Sequence, residues 1–163
     1  LKRNCTTCAS EDKAMLLDLH ARPFSQPDRQ VVSQLDWSEV AAMWDNNQLG
    51  QLHDWLNERW SRLIRDSVLG HKDPEAEFLQ ALAFAVLALF FTQNQNQEGA
   101  LLMADDAIMA LNKYRPSYLG VAIDPIVGTL QELRPLLCGL AADDPCPLYP
   151  FAYPKFQYFH RTP

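Results

Sequence analysis

The residues best suited to chemistry are four cysteines that stand as two pairs near the ends of the chain, Cys5 with Cys8 and Cys138 with Cys146. The Cys-x-x-Cys spacing of the first pair is used by redox centres and by zinc sites, because both need two thiolates side by side. A thioredoxin-type centre also needs a strand before the motif, and no strand pattern precedes Cys5. Cys138 and Cys146 are spaced more widely than usual zinc ligands.

The two cysteine pairs therefore have three open interpretations: disulfides, free thiols, or metal or redox ligands. If all four cysteines are oxidised, three pairings are possible. A bridge from the first pair to the second would close a loop of more than a hundred residues. In the chain-entropy account the first such bridge adds roughly 4–5 kcal/mol of stability. Disulfides also indicate an oxidising compartment, so we expect a periplasmic or secreted location if these thiols are oxidised.

The remaining titratable residues form no recognisable site. The four histidines are dispersed, and the neighbours Asp105 and Asp106 point apart if they lie on a helix. The sequence contains no nucleophile elbow, Walker loop, dinucleotide-binding glycine pattern or Glu-x-x-His pair. We therefore predict that the protein is not an enzyme and has no catalytic residue, metal site or cofactor.

Helices would have to position these residues, because apolar residues recur at spacings of three and four and no segment alternates as a strand does. Asp36, Asp73 and Asp124 precede helix starts, and proline follows the last two. We expect Gly70 to end one helix and Pro135 to kink another or end it early. The predicted helices span about 10–21, 37–44, 48–69, 74–92, 98–114 and 124–137.

One predicted helix is apolar nearly all round. Residues 78–91 include a single polar side chain, Gln80, and the run is shorter than the ~18–20 residues that cross a bilayer. Such a helix should be surrounded by others. We therefore predict an all-α fold of five or six helices, arranged as antiparallel hairpins around a central helix at about 74–92, with no transmembrane segment. In the next helix, we expect Leu102 to belong to the amphipathic apolar set.

The hairpins 37–69 and 74–114 are similar in outline to tetratricopeptide-type helical repeats. Within 98–118, Gly99, Ala104, Ile108 and Pro116 follow the second helix of such a repeat. Leu111 stands where the repeat has a small residue, and the preceding helix lacks the expected glycine. The resemblance implies helices packed as hairpins, and no family is assigned from it.

The chain changes character after residue 140, where prolines favour an extended path. We predict a helical domain over 1–140 and an extended arm over 141–163, both within a single domain. The arm either packs on the helices or docks a partner. Trp55 and Trp60 diverge on their helix, so Trp55 is a further candidate for partner contact. The candidate residues in the arm are Tyr149, Phe151, Tyr153, Phe156, Tyr158 and Phe159.

The net charge of −6 and the pI near 5.1 make the surface acidic. An acidic surface repels phosphate backbones, so we expect no nucleic-acid partner, and it favours a basic protein partner. We predict a non-enzymatic protein-binding module of the inhibitor, immunity-protein or adaptor kind, which acts through an acidic helical surface and the aromatic arm. The alternative is a secreted effector or a helical enzyme with an unrecognised site.

Overall fold

The computed structural model describes residues 36–146 and 153–159. These residues form five α-helices and one short β-hairpin, which confirms the predicted all-α class. The predicted helix at 10–21 lies outside the described residues, and the division at residue 140 stays a prediction. The elements are α1 (Trp37–Asp45), α2 (Leu49–Asp66), α3 (Pro74–Gln93), α4 (Gln97–Leu111), β1 (Ser117–Tyr118), β2 (Val121–Ala122) and α5 (Asp124–Cys138), with 3₁₀ turns at Gly70–Lys72 and Asn112–Tyr114.

Two of the three predicted aspartate caps are confirmed. The Asp36 carboxylate accepts the Ser38 backbone N–H at 3.0 Å. The Asp73 carboxylate accepts the N–H groups of Glu75 and Ala76 at 2.9 and 3.1 Å, with proline at the first helical position. These bonds satisfy amide groups that a helix start leaves without partners. Asp124 is instead the first residue of α5, and its carboxylate pairs with a neighbouring arginine.

One predicted helix end differs from the structure, and of the two alternatives predicted at Pro135, a kink or an early end, the early end is excluded. Helix α2 ends at Asp66, before the predicted 69, and Gly70 begins a 3₁₀ turn with φ of +54°. A positive φ suits glycine because it has no Cβ. Helix α5 does not end early at Pro135 but continues to Cys138. Pro135 lies in the last turn, and its carbonyl accepts the Gly139 N–H at 3.1 Å to close the helix.

Helix α3 is the core helix of the described fold. By length and composition it is apolar enough to cross a membrane, but 56% of its most apolar window is buried inside the fold. It packs against α2, α4 and α5. Both α3 and α4 bury several alanines, and small side chains let helix axes approach closely. The buried alanines are Ala76, Ala81, Ala85 and Ala88 on α3, and Ala100, Ala104 and Ala107 on α4.

The β-hairpin between α4 and α5 is a feature that the sequence pattern did not predict. Each strand has only two residues, which is too short for alternation to be visible. Its turn residues Leu119 and Gly120 have φ of +48° and +82°, as two-residue hairpin turns require. Tyr158 of the arm forms an antiparallel bridge with Val121 on the open edge of the hairpin. The hairpin therefore positions the arm.

Candidate functional site

One face of α1 and the open edge of the hairpin form a channel that we call the aromatic groove; its walls are Trp37, Trp44, Asp45 and residues 120–122. Trp37 and Trp44 lie seven residues apart, so they share a helix face, and they are 6% and 2% exposed. The Trp37 indole N–H donates to the Leu119 carbonyl at 2.9 Å. This bond joins the two walls of the groove.

Residues 153–159 of the arm lie in the aromatic groove. The Phe156 ring lies between the two indoles, with centroids 6.2 Å from Trp37 and 5.8 Å from Trp44. The Tyr153 ring meets Trp44 edge-on at 5.3 Å. The Trp44 indole N–H donates to the Pro154 carbonyl at 2.9 Å. Phe156 is 7% exposed and is therefore part of the core.

The arm also pairs with the groove through its backbone. The Asp45 carboxylate accepts the Phe156 N–H at 2.9 Å. The Ala122 N–H donates to the Gln157 carbonyl at 3.0 Å, and the Phe159 N–H donates to the Gly120 carbonyl at 2.8 Å. The arm thus adds an extended segment to the hairpin edge, in the way that peptides are held by strand addition.

The structure separates the predicted partner-binding residues into four sets. Tyr153, Phe156 and Tyr158 pack against the core, whereas Phe159 is 67% exposed. Trp55 is half-buried on α2 and packs partly against the core. Tyr149 and Phe151 lie outside the described residues. A partner-binding role for any of these residues stays a prediction.

Cys138 and Cys146 are both free thiols, so the structure contains no disulfide from either residue. Cys138 is exposed at the end of α5. Cys146 is 5% exposed, and its backbone N–H donates to the Gln95 side-chain oxygen at 2.7 Å. Burial raises the pKa of the Cys146 thiol, which keeps it protonated and a poor nucleophile. Cys5 and Cys8 lie outside the described residues.

Polar side chains converge at a groove of about 460 Å³ between the end of α2 and the start of α3. The Ser67 hydroxyl donates to the Asp73 carboxylate at 2.7 Å. This bond, with the two capping amides, outweighs burial and lowers the pKa of Asp73. A carboxylate with a lowered pKa is a weak base, so this pair does not activate the serine. The nearby His71 ring contacts Trp60 at 5.8 Å instead.

Two further charged residues that line this groove, Arg62 and Asp66, are engaged in surface ion pairs with Glu58 and Arg65. Across residues 36–146 and 153–159, no group of three or more histidine, cysteine or acidic residues is placed to hold a metal ion. The polar contacts that the groove between α2 and α3 makes are therefore those of a helix end, with Ser67 and the α3 amides bonded to Asp73.

The outer face of α4 is a surface that the sequence analysis missed. Leu102, expected in the apolar packing set, is 59% exposed, and Met109 is 73% exposed. The alanines of α4 form its packing face. Leu102 lies two residues before Ala104, which is a rotation of about 200° around the helix axis, so its side chain is on nearly the opposite side of the helix. The seven-residue spacing of Leu102 and Met109 was the available signal, since it places both on one face.

A comparison of the chain with known protein families, with curated proteins and with solved structures finds no match.

Proposed function

We propose that the protein is a non-enzymatic binding module, and that the outer face of α4 holds a basic amphipathic segment of a protein partner. The observation that carries this proposal is the pair of exposed apolar side chains, Leu102 and Met109, on one helix face. They are separated by two turns, about 10 Å along the axis. An amphipathic helix presents apolar side chains at that same interval, so the two surfaces are complementary.

The charges around this face favour a basic partner. Helix α4 contains Glu98, Asp105 and Asp106 and no lysine or arginine. Asp105 is paired with Arg134 of α5, whereas no ion pair to Glu98 or Asp106 occurs among the described residues. Asp105 and Asp106 lie between Leu102 and Met109 in the helix, so lysines beside an apolar stripe would meet them. A second copy of this chain would bring the same negative charge and is disfavoured.

The size of the face predicts a reversible complex. Full burial of an aliphatic side chain stabilises by roughly 1.5–3 kcal/mol, and part of that gain is offset by the entropy lost on association. Two such side chains and two or three charge contacts therefore support a transient interaction of small area. Obligate interfaces are larger and more apolar.

The test uses a fluorescent amphipathic peptide of about 14 residues, composed of leucine and lysine at helical spacing, with the full chain in fluorescence anisotropy. The double variant Leu102→Gln/Met109→Gln should bind the peptide about tenfold more weakly, as expected when a contact worth roughly 1.4 kcal/mol is removed. The matched control is Val68→Gln/Leu69→Gln, because these residues are also exposed, at 103% and 58%, but lie after α2. This control should bind as the wild type does.

The electrostatic contribution to peptide binding can be measured separately, through the salt dependence of the affinity. Affinity should fall as salt is raised, because exposed charges are screened beyond about 8 Å at physiological ionic strength. Asp106→Asn should weaken binding and flatten the salt dependence. Equal binding by the wild type and the Leu102→Gln/Met109→Gln variant, or an equal loss in the Val68→Gln/Leu69→Gln control, would show that the α4 face is not the site.

A further inference from the structure

We propose that the aromatic groove is a second binding site, which accepts extended protein segments of the pattern aromatic-Pro-x-Phe-x-aromatic. The arm residues 153–159 occupy this site in the free chain and compete with the partner segment. The site is separate from the α4 face, and neither proposal depends on the other. The bound arm identifies the ligand chemistry, because it shows which groups the groove holds.

The main-chain contacts select an extended backbone. The Trp44 indole N–H, the Asp45 carboxylate and the hairpin amides and carbonyls bind backbone groups of residues 154, 156, 157 and 159. None of these bonds needs a particular ligand side chain, although a proline at the position of Pro154 pre-sets an extended path. Strand addition of this kind gives affinity, whereas side-chain pockets give specificity.

Side-chain specificity comes from the two indoles. The ring of Phe156 fills the space between Trp37 and Trp44, so an aromatic residue is required there. Tyr153 places a second ring on Trp44 and donates its hydroxyl to the Asn47 side chain. Lys155 and Gln157 are exposed, which leaves the two x positions unrestricted. The pattern is therefore read at the positions of Tyr153, Phe156 and Tyr158, which pack against the core.

The groove walls are held by contacts that do not involve the arm. The Trp37 indole is bonded to the hairpin at Leu119, and its ring meets Phe78 at 6.0 Å. Phe78 in turn contacts the rings of Tyr114 and Tyr118, each at 5.0 Å. A site whose walls pack on the core in this way is largely pre-formed, which lowers the cost of rebinding a segment.

The arm competes as a tethered ligand. A short linker gives an effective concentration in the millimolar range. If the same segment binds in trans with a Kd of about 10 µM, the arm raises the apparent Kd about a hundredfold, because the site is open only about a hundredth of the time. Weakening the arm should therefore reveal the site.

The experiment uses the full chain and a fluorescent peptide with the sequence of residues 153–159. The Phe156→Ala variant should bind this peptide up to about a hundredfold more tightly than the wild type, since its own arm no longer fills the pocket. A peptide with alanine at the phenylalanine position should lose most of its binding. Phe159→Ala is the matched control, because Phe159 is 67% exposed, and it should bind as the wild type does.

Two further measurements keep the proposal falsifiable if Phe156→Ala does not fold. Phe156→Leu retains an apolar side chain and should show the same change to a smaller degree. In the wild type, peptide at a concentration several times its Kd should displace the arm and so accelerate amide hydrogen exchange at residues 157–159. Folded arm variants that bind no more tightly than the wild type, an alanine peptide that binds equally, or unchanged exchange would each overturn the proposal. Leu102→Gln/Met109→Gln should bind this peptide normally, which separates the two sites.

Discussion

The aromatic groove and the outer face of α4 are both apolar surfaces beside helices, but only the groove is filled by the chain itself. Trp37 and Trp44 carry indole N–H groups, and a buried donor is costly without an acceptor. The hairpin supplies a carbonyl to the Trp37 indole and the arm supplies one to the Trp44 indole, each at 2.9 Å. Leu102 and Met109 carry no donor, so exposure leaves no polar group unsatisfied. A surface with indole N–H groups thus selects a segment whose backbone carbonyls are placed to accept them. An aliphatic stripe selects its partner by shape and by the charges around it.

The largest expected effect is a difference between the two surfaces in how much a truncated side chain lowers the free energy of unfolding. Phe156→Ala should lower the free energy of unfolding by about 2–4 kcal/mol, because it empties a pocket between two rings. Met109→Ala should change it by less than about 0.5 kcal/mol, since an exposed side chain loses little on truncation. Urea unfolding followed by tryptophan fluorescence measures both values. Similar losses for the two variants would mean that the arm is not anchored by Phe156.

The next largest effect tests how much the hydrogen bond from the Trp44 indole contributes to stability. Trp44→Phe should cost about 1–3 kcal/mol, because it removes buried volume and leaves the Pro154 carbonyl without its donor. Trp55→Phe is the matched control, since the Trp55 ring is half-buried and its indole makes no hydrogen bond within the described residues. The same urea experiment compares the two variants. A control that costs as much as Trp44→Phe would remove the role assigned to the hydrogen bond.

Features that depend on neighbouring residues could be predicted from the sequence. The caps at Asp36 and Asp73 follow from side-chain oxygens placed before a helical pattern. Trp37 and Trp44 share a face because seven residues span two helical turns. The apolar residues of α3 indicated a core helix for the same reason, since no face of it could be left wholly in water.

Features that depend on contacts between distant residues could not be predicted. The hairpin strands are too short to show a period, and the arm meets α1 across more than a hundred residues of sequence. Leu102 matched an apolar periodicity, but the alanines of α4 decided which face packs. A pattern reports apolarity, whereas close approach of helix axes depends on side-chain size.

The tyrosines that pack on Phe78 beside the hairpin should make the fold sensitive to alkaline pH. Burial, with the nearby Glu77 and Tyr118, raises the pKa of Tyr114 above 10.0, and burial likewise raises the pKa of Tyr118. The folded state then holds these protons more tightly than the unfolded state. The stabilisation is present below pH about 10 and is lost as pH rises through the folded pKa values.

The free energy of unfolding should therefore fall as the pH rises above about 10, and urea unfolding from pH 9 upward measures the slope. Tyr114→Phe should reduce the slope because it removes the ionisable hydroxyl. Leu102→Gln/Met109→Gln should retain the wild-type slope, since the α4 face contributes no tyrosine. An unchanged slope in Tyr114→Phe would assign the alkaline effect to other groups.

The smallest effect concerns a single thiol and leaves the folded state intact. In a chain with Cys5→Ser and Cys8→Ser, Ellman's reagent should modify Cys138 quickly and Cys146 slowly, because Cys138 is exposed and Cys146 is 5% exposed. In denaturant both should react at once. Equal rates in the native protein would contradict the burial of Cys146. The unsubstituted chain in denaturant tests the disulfide hypothesis directly, since four reactive thiols would exclude any bridge.

The rate at Cys146 also shows whether the segment after α5 and the arm are held separately. The Gln95 side chain accepts the Cys146 N–H at 2.7 Å, so Gln95→Ala should release this segment and raise the rate. Phe156→Ala removes ring contacts with Trp37 and Trp44 of α1, so it should leave the rate of Cys146 modification unchanged. If both variants raise the rate, the two segments open together, and a partner that displaces the arm would also expose the buried thiol.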